Sequence, residues 1–233
     1  MYSESCSIVI PAKNETVQLN DLLTKILEQK NYDFECFIVV DSIDDQSCKV
    51  VRFFQSLDNR FCLLVNKNPS NPATAIRFGI SKATKEKIII IMGDGSDDPG
   101  DIPKLLNLLG KGVSVACASR YTEGGAQLNA KFIKSSISRI VGLSFQLLTK
   151  VGTHDITNSY KGYSKEFLDL VGIESAHGFE LGIEMVAKAY RYNKIVAQIP
   201  TIWIEKNIKQ SNFKIIKWAP IYLKWYLYGL KRN

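Results

Sequence analysis

Along the first half of the chain, short apolar runs alternate with segments whose apolar residues recur at helical spacing, and a polar break separates each pair. Residues 5–10 form the first run, which stops at Pro11-Ala12-Lys13-Asn14-Glu15; Leu19, Leu22, Leu23, Ile26 and Leu27 then fall on one side of a helix. Residues 34–40 form a second strand ending at Asp41, and Ser42-Ile43-Asp44-Asp45 leads to a helix over about 47–54. A third strand at 61–65 is followed by a loop, 66–72, and a helix over about 73–83. The fourth run, Ile88 to Met92, shows no alternation at all, as expected of a strand covered on both faces by helices, and so predicts the centre of a sheet. Four strands alternating with helices predict a mostly parallel, doubly wound α/β fold with right-handed crossovers.

The second half continues the pattern less regularly. A helix is predicted over 101–109, a strand over 113–118 ending in Ser119-Arg120-Tyr121, and a long helix over 131–150 that carries Ser138 and Arg139. Residues 153–164 read as turn-rich and polar. Residues 179–192 read as a helix with Glu180 and Glu184 one turn apart on the same face, and 195–199 as a late strand before Pro200. The last stretch differs in character: Trp218, Tyr222, Trp225, Tyr226 and Tyr228 mix with Lys214, Lys217, Lys224, Lys231 and Arg232. Rings among lysines suit a bilayer interface, but they also suit a helix packed on its own domain or on a partner subunit. Pro220 is expected to break the helical pattern there. The expected organisation is one large domain over 1–212 and a basic aromatic helical tail over 213–233.

Composition narrows the class. A chain of 233 residues is long enough for one full α/β core. Its start does not read as a signal peptide, and no window approaches a spanning helix. The five cysteines, at 6, 36, 48, 62 and 117, lack metal or redox spacing and read as reduced core residues, so a cytoplasmic protein is expected. The formal charge of +7 favours an anionic partner: a phosphorylated substrate, a membrane surface or nucleic acid. No nucleic-acid recognition motif is present, and acids rather than cations crowd the expected cleft, so nucleic acid is set aside.

Those acids stand at the end of the fourth run, where open α/β sheets bind ligands: Asp94, Asp97 and Asp98, with Gly93 and Gly95 allowing tight turns. Clustered carboxylates repel one another unless a cation joins them, and a hard divalent ion such as Mg²⁺ or Mn²⁺ would bring open positions for phosphate oxygens. The competing reading is a solvated acidic turn capping the next helix. Arg120 and Arg139 read either as anion contacts or as solvated surface charge.

Taken in order, Val9-Ile10-Pro11-Ala12-Lys13-Asn14-Glu15, Val39-Val40-Asp41 and Met92-Gly93-Asp94-Gly95-Ser96-Asp97-Asp98-Pro99 resemble the family 2 glycosyltransferases of the GT-A fold. The chain is most similar there to the dolichol-phosphate mannose synthase and polyprenyl-phosphate sugar transferase branch. Ala118-Ser119-Arg120-Tyr121, Gly124-Gly125, Ser138-Arg139, Asp155 to Tyr160, Phe179-Glu180 with Glu184, and Ser211 to Lys214 add to the likeness. The resemblance implies a three-layer α/β/α domain. Pro11, Ala12 and Glu15 would line a nucleotide pocket, and Asp41 would hold the base or ribose. Asp94 would be the acidic position of a Mg²⁺ or Mn²⁺ motif with Asp97 and Asp98 behind it, and Arg120, Arg139 and Ser138 would meet an acceptor phosphate. Two departures stand out. The usual Asp-X-Asp positions are Gly93 and Gly95 here, and Glu205-Lys206 replaces an Asp-Arg pair, so that Lys206 rather than an arginine would steady the diphosphate, with Lys13 as a second candidate.

The expected activity is inverting transfer of a hexose from a GDP- or UDP-sugar. A lipid phosphate acceptor such as a polyprenyl phosphate is already ionised and needs only cations to place it. A glycan hydroxyl would instead need a carboxylate base, for which Asp98, Glu180 and Glu184 are the candidates. A non-catalytic nucleotide-sugar binder is the reading from a different class. A peripheral position on the cytoplasmic face of a membrane is expected, and a homo-oligomer or a membrane-protein partner is left open.

Overall fold

The computed structural model describes residues 4–67, 71–206 and 215–231. Seven strands form one sheet: β1 (Ser5–Pro11), β2 (Asp33–Val40), β3 (Phe61–Val65), β4 (Lys87–Ile90), β5 (Val115–Ser119), β7 (Lys161–Ser164) and β8 (Val196–Pro200). Their order is β3-β2-β1-β4-β7-β5-β8, so the isoleucine-rich β4 is the fourth of seven and lies at the centre, as its unalternating pattern predicts. All pairings are parallel except those of β7, which runs antiparallel to both β4 and β5. Beyond β4 the ladder continues, with Ile91 N donating to Val9 O (3.2 Å) and Gly93 N to Pro11 O (3.2 Å).

Both faces of the sheet are buried, because successive residues of each central strand supply opposite cores. Ile8, Ile10, Ile89 and Ile91 pack with α1 (Val17–Leu27), α2 (Ser47–Leu57) and α4 (Ile102–Gly110). Val9, Val39, Ile88 and Ile90 pack on the other side with α3 (Pro72–Ile80), α5 (Phe132–Thr149), α6 (Lys165–Val171), α7 (Leu181–Arg191) and α8 (Ile215–Leu230). The result is the three-layer α/β/α sandwich expected.

Three features depart from expectation. The first is β7, which lies inside the stretch expected to be turns. Its sequence, Lys-Gly-Tyr-Ser, is short and opens on a charge, yet Lys161 is fully buried because its ammonium donates to the carbonyls of Ile156 and Asn158. Second, a two-stranded parallel ribbon of β6 (Ala126–Leu128) and β9 (Ile202–Ile204) stands outside the main sheet; three-residue strands leave no periodicity to read. Third, α8 runs through Pro220 without ending. The proline lies in its second turn, and the residues beyond it are held by tertiary contacts rather than by helix propensity.

Those contacts pack one side of the tail on its own domain, as the second of its two readings expects. Trp225 is 2% exposed, the Lys188 ammonium lies 5.3 Å from the centre of its ring, Tyr226 stacks edge-on against Phe145, and the Tyr226 hydroxyl donates to Ser144 Oγ at 2.9 Å. The boundary expected at 212/213 and the Ser211 to Lys214 match fall outside the described residues. Because Trp225 is a core residue, Trp225→Ala should cost about 3–5 kcal/mol, read as a lower urea midpoint at unchanged slope. An unchanged midpoint would mean that the tail is not integral to the fold.

Candidate active site

At the carboxyl edge of the sheet the loop after β1 is tied to the loop after β2. Asn14 takes a left-handed conformation (φ 53°), and its N–H reaches both carboxylate oxygens of Asp45 at 3.0 Å. Glu15 N donates to Ser47 Oγ (2.9 Å), and Ser47 N donates to Asp45 Oδ1 (2.8 Å). Asp45 and Ser47 thus fix a loop whose Pro11 and Ala12 are buried and whose Glu15 lines the cavity. Asp41 lies beside it, 3.4 Å from Lys13 Nζ.

The loop after β4 has little room. An added Cβ at Gly93 would lie 2.9 Å from Pro11 O and 3.0 Å from Ala12 Cβ. Gly95 has φ +68°, and a Cβ there would meet Lys206 Nζ at 3.2 Å. Both positions that carry aspartate in the Asp-X-Asp pattern are therefore closed to a side chain by this backbone, and the acids stand on the residues between and after them.

The three aspartates have different surroundings. Asp94 lines the cavity and accepts from Ser96 N at 3.0 Å; burial pushes its carboxyl above the usual range. Asp97 is buried, with Oδ2 accepting from Met92 N at 3.3 Å and Oδ1 lacking any partner; burial, and then the neighbouring Asp94, push its carboxyl up to about 7. Asp98 is exposed, and its carboxylate accepts from Gly100 N at 3.0 Å to cap the short helical turn Pro99–Asp101. The structure therefore does not gather all three: Asp98 serves as a helix cap, the alternative reading of this stretch, while the Asp94 charge is felt at Asp97. Among the described residues no set of three His, Cys, Asp or Glu converges as a metal site. The unsatisfied Asp97 oxygen and the raised pair nonetheless fit one divalent cation that takes protein oxygens from two carboxylates and the remainder from phosphate and water. Lys206 Nζ lies over this loop, 3.3 Å from Asp21 Oδ2.

A largely buried cation lines the same cavity. Arg120, just past β5, donates through Nε to Asp155 Oδ2 (2.7 Å) and through Nη2 to Asp155 Oδ1 (2.9 Å), Thr157 Oγ1 (3.0 Å) and Ser138 Oγ (3.3 Å). Burial alone would raise Asp155, but the charge and hydrogen bonds of Arg120 outweigh it and hold the carboxyl below its usual range. Lys134 lines the same wall one helical turn before Ser138, and burial lowers its ammonium. These groups, with Glu15 and Asp94, line a cavity of about 980 Å³ whose other walls include Ile137, Val141, Trp203, Pro220, Leu223 and Tyr226. Glu205 also lines it and is raised by burial.

Three expected site residues lie elsewhere. Arg139 is exposed and does not line the cavity, since five residues past Lys134 a helix has turned its side chain away from the Lys134–Ser138 face. Glu180 is fully buried and accepts from Ala176 N (3.1 Å) and His177 N (2.8 Å), so it secures the loop before α7 instead of facing the reaction space. Glu184 does the same for Glu174 N and Ser175 N and pairs with Lys188. Lys134 was the residue missed; its (i, i+4) spacing to Ser138 is the signal that finds it.

Comparison with known proteins bears on the family and the fold. Residues 7–172 match the family profile described as glycosyl transferase family 2. A polyprenol monophosphomannose synthase of Mycolicibacterium smegmatis is 27% identical over 138 residues, covering 54% of this chain and 52% of the relative. A dolichol-phosphate mannosyltransferase of Pyrococcus furiosus is 27% identical over 199 residues, covering 82% and 54%. The chain thus spans about half the length of these two relatives. Among solved structures, a mannosyltransferase of Pyrobaculum calidifontis in complex with GDP-mannose and Mn²⁺ superposes with a TM-score of 0.66 at 16% identity, covering 91% of this chain and 59% of that one. Glucosyl-3-phosphoglycerate synthase of Mycobacterium tuberculosis, with Mn²⁺, UDP and phosphoglyceric acid, gives 0.69 at 12% identity, covering 99% and 80%. These likenesses establish the shared GT-A architecture.

The raised Asp97 carboxyl has a measurable sign. Between the unfolded value near 4 and the folded value near 7, the folded state holds a proton that the unfolded state has lost, so stability falls as pH rises through that window. Metal-free protein should lose roughly 2–4 kcal/mol between pH 4 and pH 7 from this group, and Asp97→Asn should lack that component of the slope, as measured by urea titration at stepped pH. Parallel slopes for the two proteins would contradict the assignment.

Proposed function

Because the chain belongs to glycosyltransferase family 2, we propose that it moves a hexose from a GDP- or UDP-sugar to a lipid phosphate of the polyprenyl type, with inversion. The observation that carries this reading is that Arg120 and Lys134, with Ser138 beside them, line the same cavity as Asp94, and that most of its remaining surface is apolar. Such a lining suits a phosphate at the head of a hydrocarbon chain. The names of the two sequence relatives make mannose the first sugar to test, and polyprenyl phosphate the first acceptor.

The donor's nucleotide would sit on the loop fixed by Asp45 and Ser47, against Pro11, Ala12 and Glu15, with Asp41 toward the base or ribose. Asp94 and Asp97 would hold Mg²⁺ or Mn²⁺, which when bound supplies positive charge for the departing diphosphate. Lys206, above Gly95, adds a second positive charge at the same end. Arg120 and Lys134 would align an acceptor phosphate oxygen with the anomeric carbon. That oxygen forms the new bond as the bond from carbon to the diphosphate oxygen breaks, and the nucleoside diphosphate leaves with the electron pair. No proton need move, since the attacking phosphate is already ionised, and this agrees with Glu180, Glu184 and Asp98 being engaged in loop and helix caps. Residues 1–212 would form the catalytic part. A position at the membrane surface follows from the acceptor's solubility, and among the described residues no helix is long and apolar enough to cross a bilayer.

Purified protein with a panel of nucleotide-sugars and Mn²⁺ should transfer to a short-chain polyprenyl phosphate and not to the dephosphorylated alcohol. Asp94→Asn should lower turnover by about 100-fold or more. Lys134→Ala should raise the acceptor KM about tenfold with the donor KM little changed, as expected when one charge-assisted contact is lost. Equal transfer to soluble glycan hydroxyls would overturn the acceptor assignment.

A further inference from the structure

Outside the cavity, the largest unexplained feature is on α5. Phe132 (84% exposed), Ile133 (67%), Ile140 (64%) and Leu147 (65%) stand in solvent along one helix, with Leu143 and Leu148 beside them. Leu223 and Leu227 extend the surface onto α8, on the side away from the buried Trp225, and α8 is fastened to α5 through Tyr226 and Ser144. A contiguous apolar face of this size is uncommon on a soluble monomer and marks a contact with something else.

The distribution of charge says what. Residues 131–150 and 215–231 together contain seven lysines and arginines and no aspartate or glutamate; the rest of the chain balances at twenty-three of each sign. The whole net charge of +7 therefore resides on the two helices that carry the exposed apolar face. Lys131, Arg139, Lys150, Lys224 and Lys231 are exposed there. A second copy docked through this face would bring like charges together without a compensating carboxylate. An anionic bilayer surface offers what both features ask for, an apolar layer beneath a negative headgroup layer.

We propose that α5, flanked by α8, lies in the interface of an anionic lipid bilayer, with its apolar stripe among the acyl chains and its cations at the headgroups. The inference rests on the lipid-phosphate reading and extends it. Ile137 and Leu223 both line the cavity and are exposed on this same surface, so the cavity and the apolar face share side chains. An acceptor could then present its phosphate to Arg120 and Lys134 while its hydrocarbon chain stays in the lipid. On this account the principal contact is α5, and the C-terminal tail, for which membrane contact was one of two readings, is its flank and its support.

The test is cosedimentation with phosphatidylcholine vesicles with and without phosphatidylglycerol, at low and high salt, on wild type and on the triple variant Ile133→Glu, Ile140→Glu, Leu147→Glu. Wild type should bind the phosphatidylglycerol vesicles, less so at high salt, and the variant should bind at least about tenfold more weakly. The variant should keep its circular dichroism and its transfer to a short, water-soluble polyprenyl phosphate. Should the triple variant fail to fold, Arg139→Glu with Lys150→Glu serves instead, both positions being exposed; the same loss is expected. Undiminished binding by the folded variants, or wild type that ignores anionic vesicles, overturns the proposal. So does a wild-type dimer that the triple variant converts to monomer without any vesicle binding. A wild type that transfers sugar but ignores vesicles refutes only this surface; one that binds vesicles but transfers nothing refutes only the activity.

Discussion

The buried pair of Arg120 and Asp155 is the constraint on which the site depends. Two charges removed from water stay favourable only when their geometry and their remaining hydrogen bonds are nearly complete. Here they are: Asp155 accepts from the Arg120 side chain and main chain and from Asn158 N, and the guanidinium also reaches Thr157 and Ser138. The pair joins the end of β5 to the loop that leads into β7, and Ser138 joins both to α5. An antiparallel β7 is what allows this. A strand entering between β4 and β5 from the opposite direction brings its preceding loop, 155–160, to the same edge of the sheet as the ends of β1, β4 and β5.

Around Asp94 the controlling fact is crowding. Pro11 and Ala12 lie so close to Gly93 that the chain can carry an acid only past that point, and Gly95 must turn left-handed beneath Lys206. Burial raises both Asp94 and Asp97 there, and the Asp94 charge raises Asp97 further. Such a cost to stability is common where binding has shaped a sequence.

Most of the fold was legible because burial on both faces writes itself plainly: the run from Ile88 to Met92 announced the centre of the sheet, and β1, β2 and β3 ended where their polar residues begin. The site was legible as clusters but not as roles. Nothing in Asp94-Gly95-Ser96-Asp97-Asp98 says which carboxylate faces a cavity and which caps a helix, since that depends on backbone N–H groups whose direction is fixed only by the fold. Glu180 and Glu184 looked available because a helical repeat gives a face but not its neighbour, and the neighbour proved to be the loop 174–177. Arg139 and Lys134 lie on one helix, and the choice between them rests on about 140° of helical rotation. Residues 161–164 were illegible as a strand because a lysine buried against carbonyls has no apolar signature.

The tie between the first two loops carries a consequence for how ligands arrive. With Asn14 already left-handed and its amide and that of Glu15 already taken by Asp45 and Ser47, the Glu15 end of the cavity is fixed before any ligand docks. Little conformational entropy remains to be surrendered there when a ligand docks. The other end is walled by α5 and α8, which Ser138 and the Tyr226–Ser144 hydrogen bond hold from inside, while their outer apolar side chains are exposed among the described residues. One pocket thus joins a loop fixed on both sides to a wall fixed on its inner side alone.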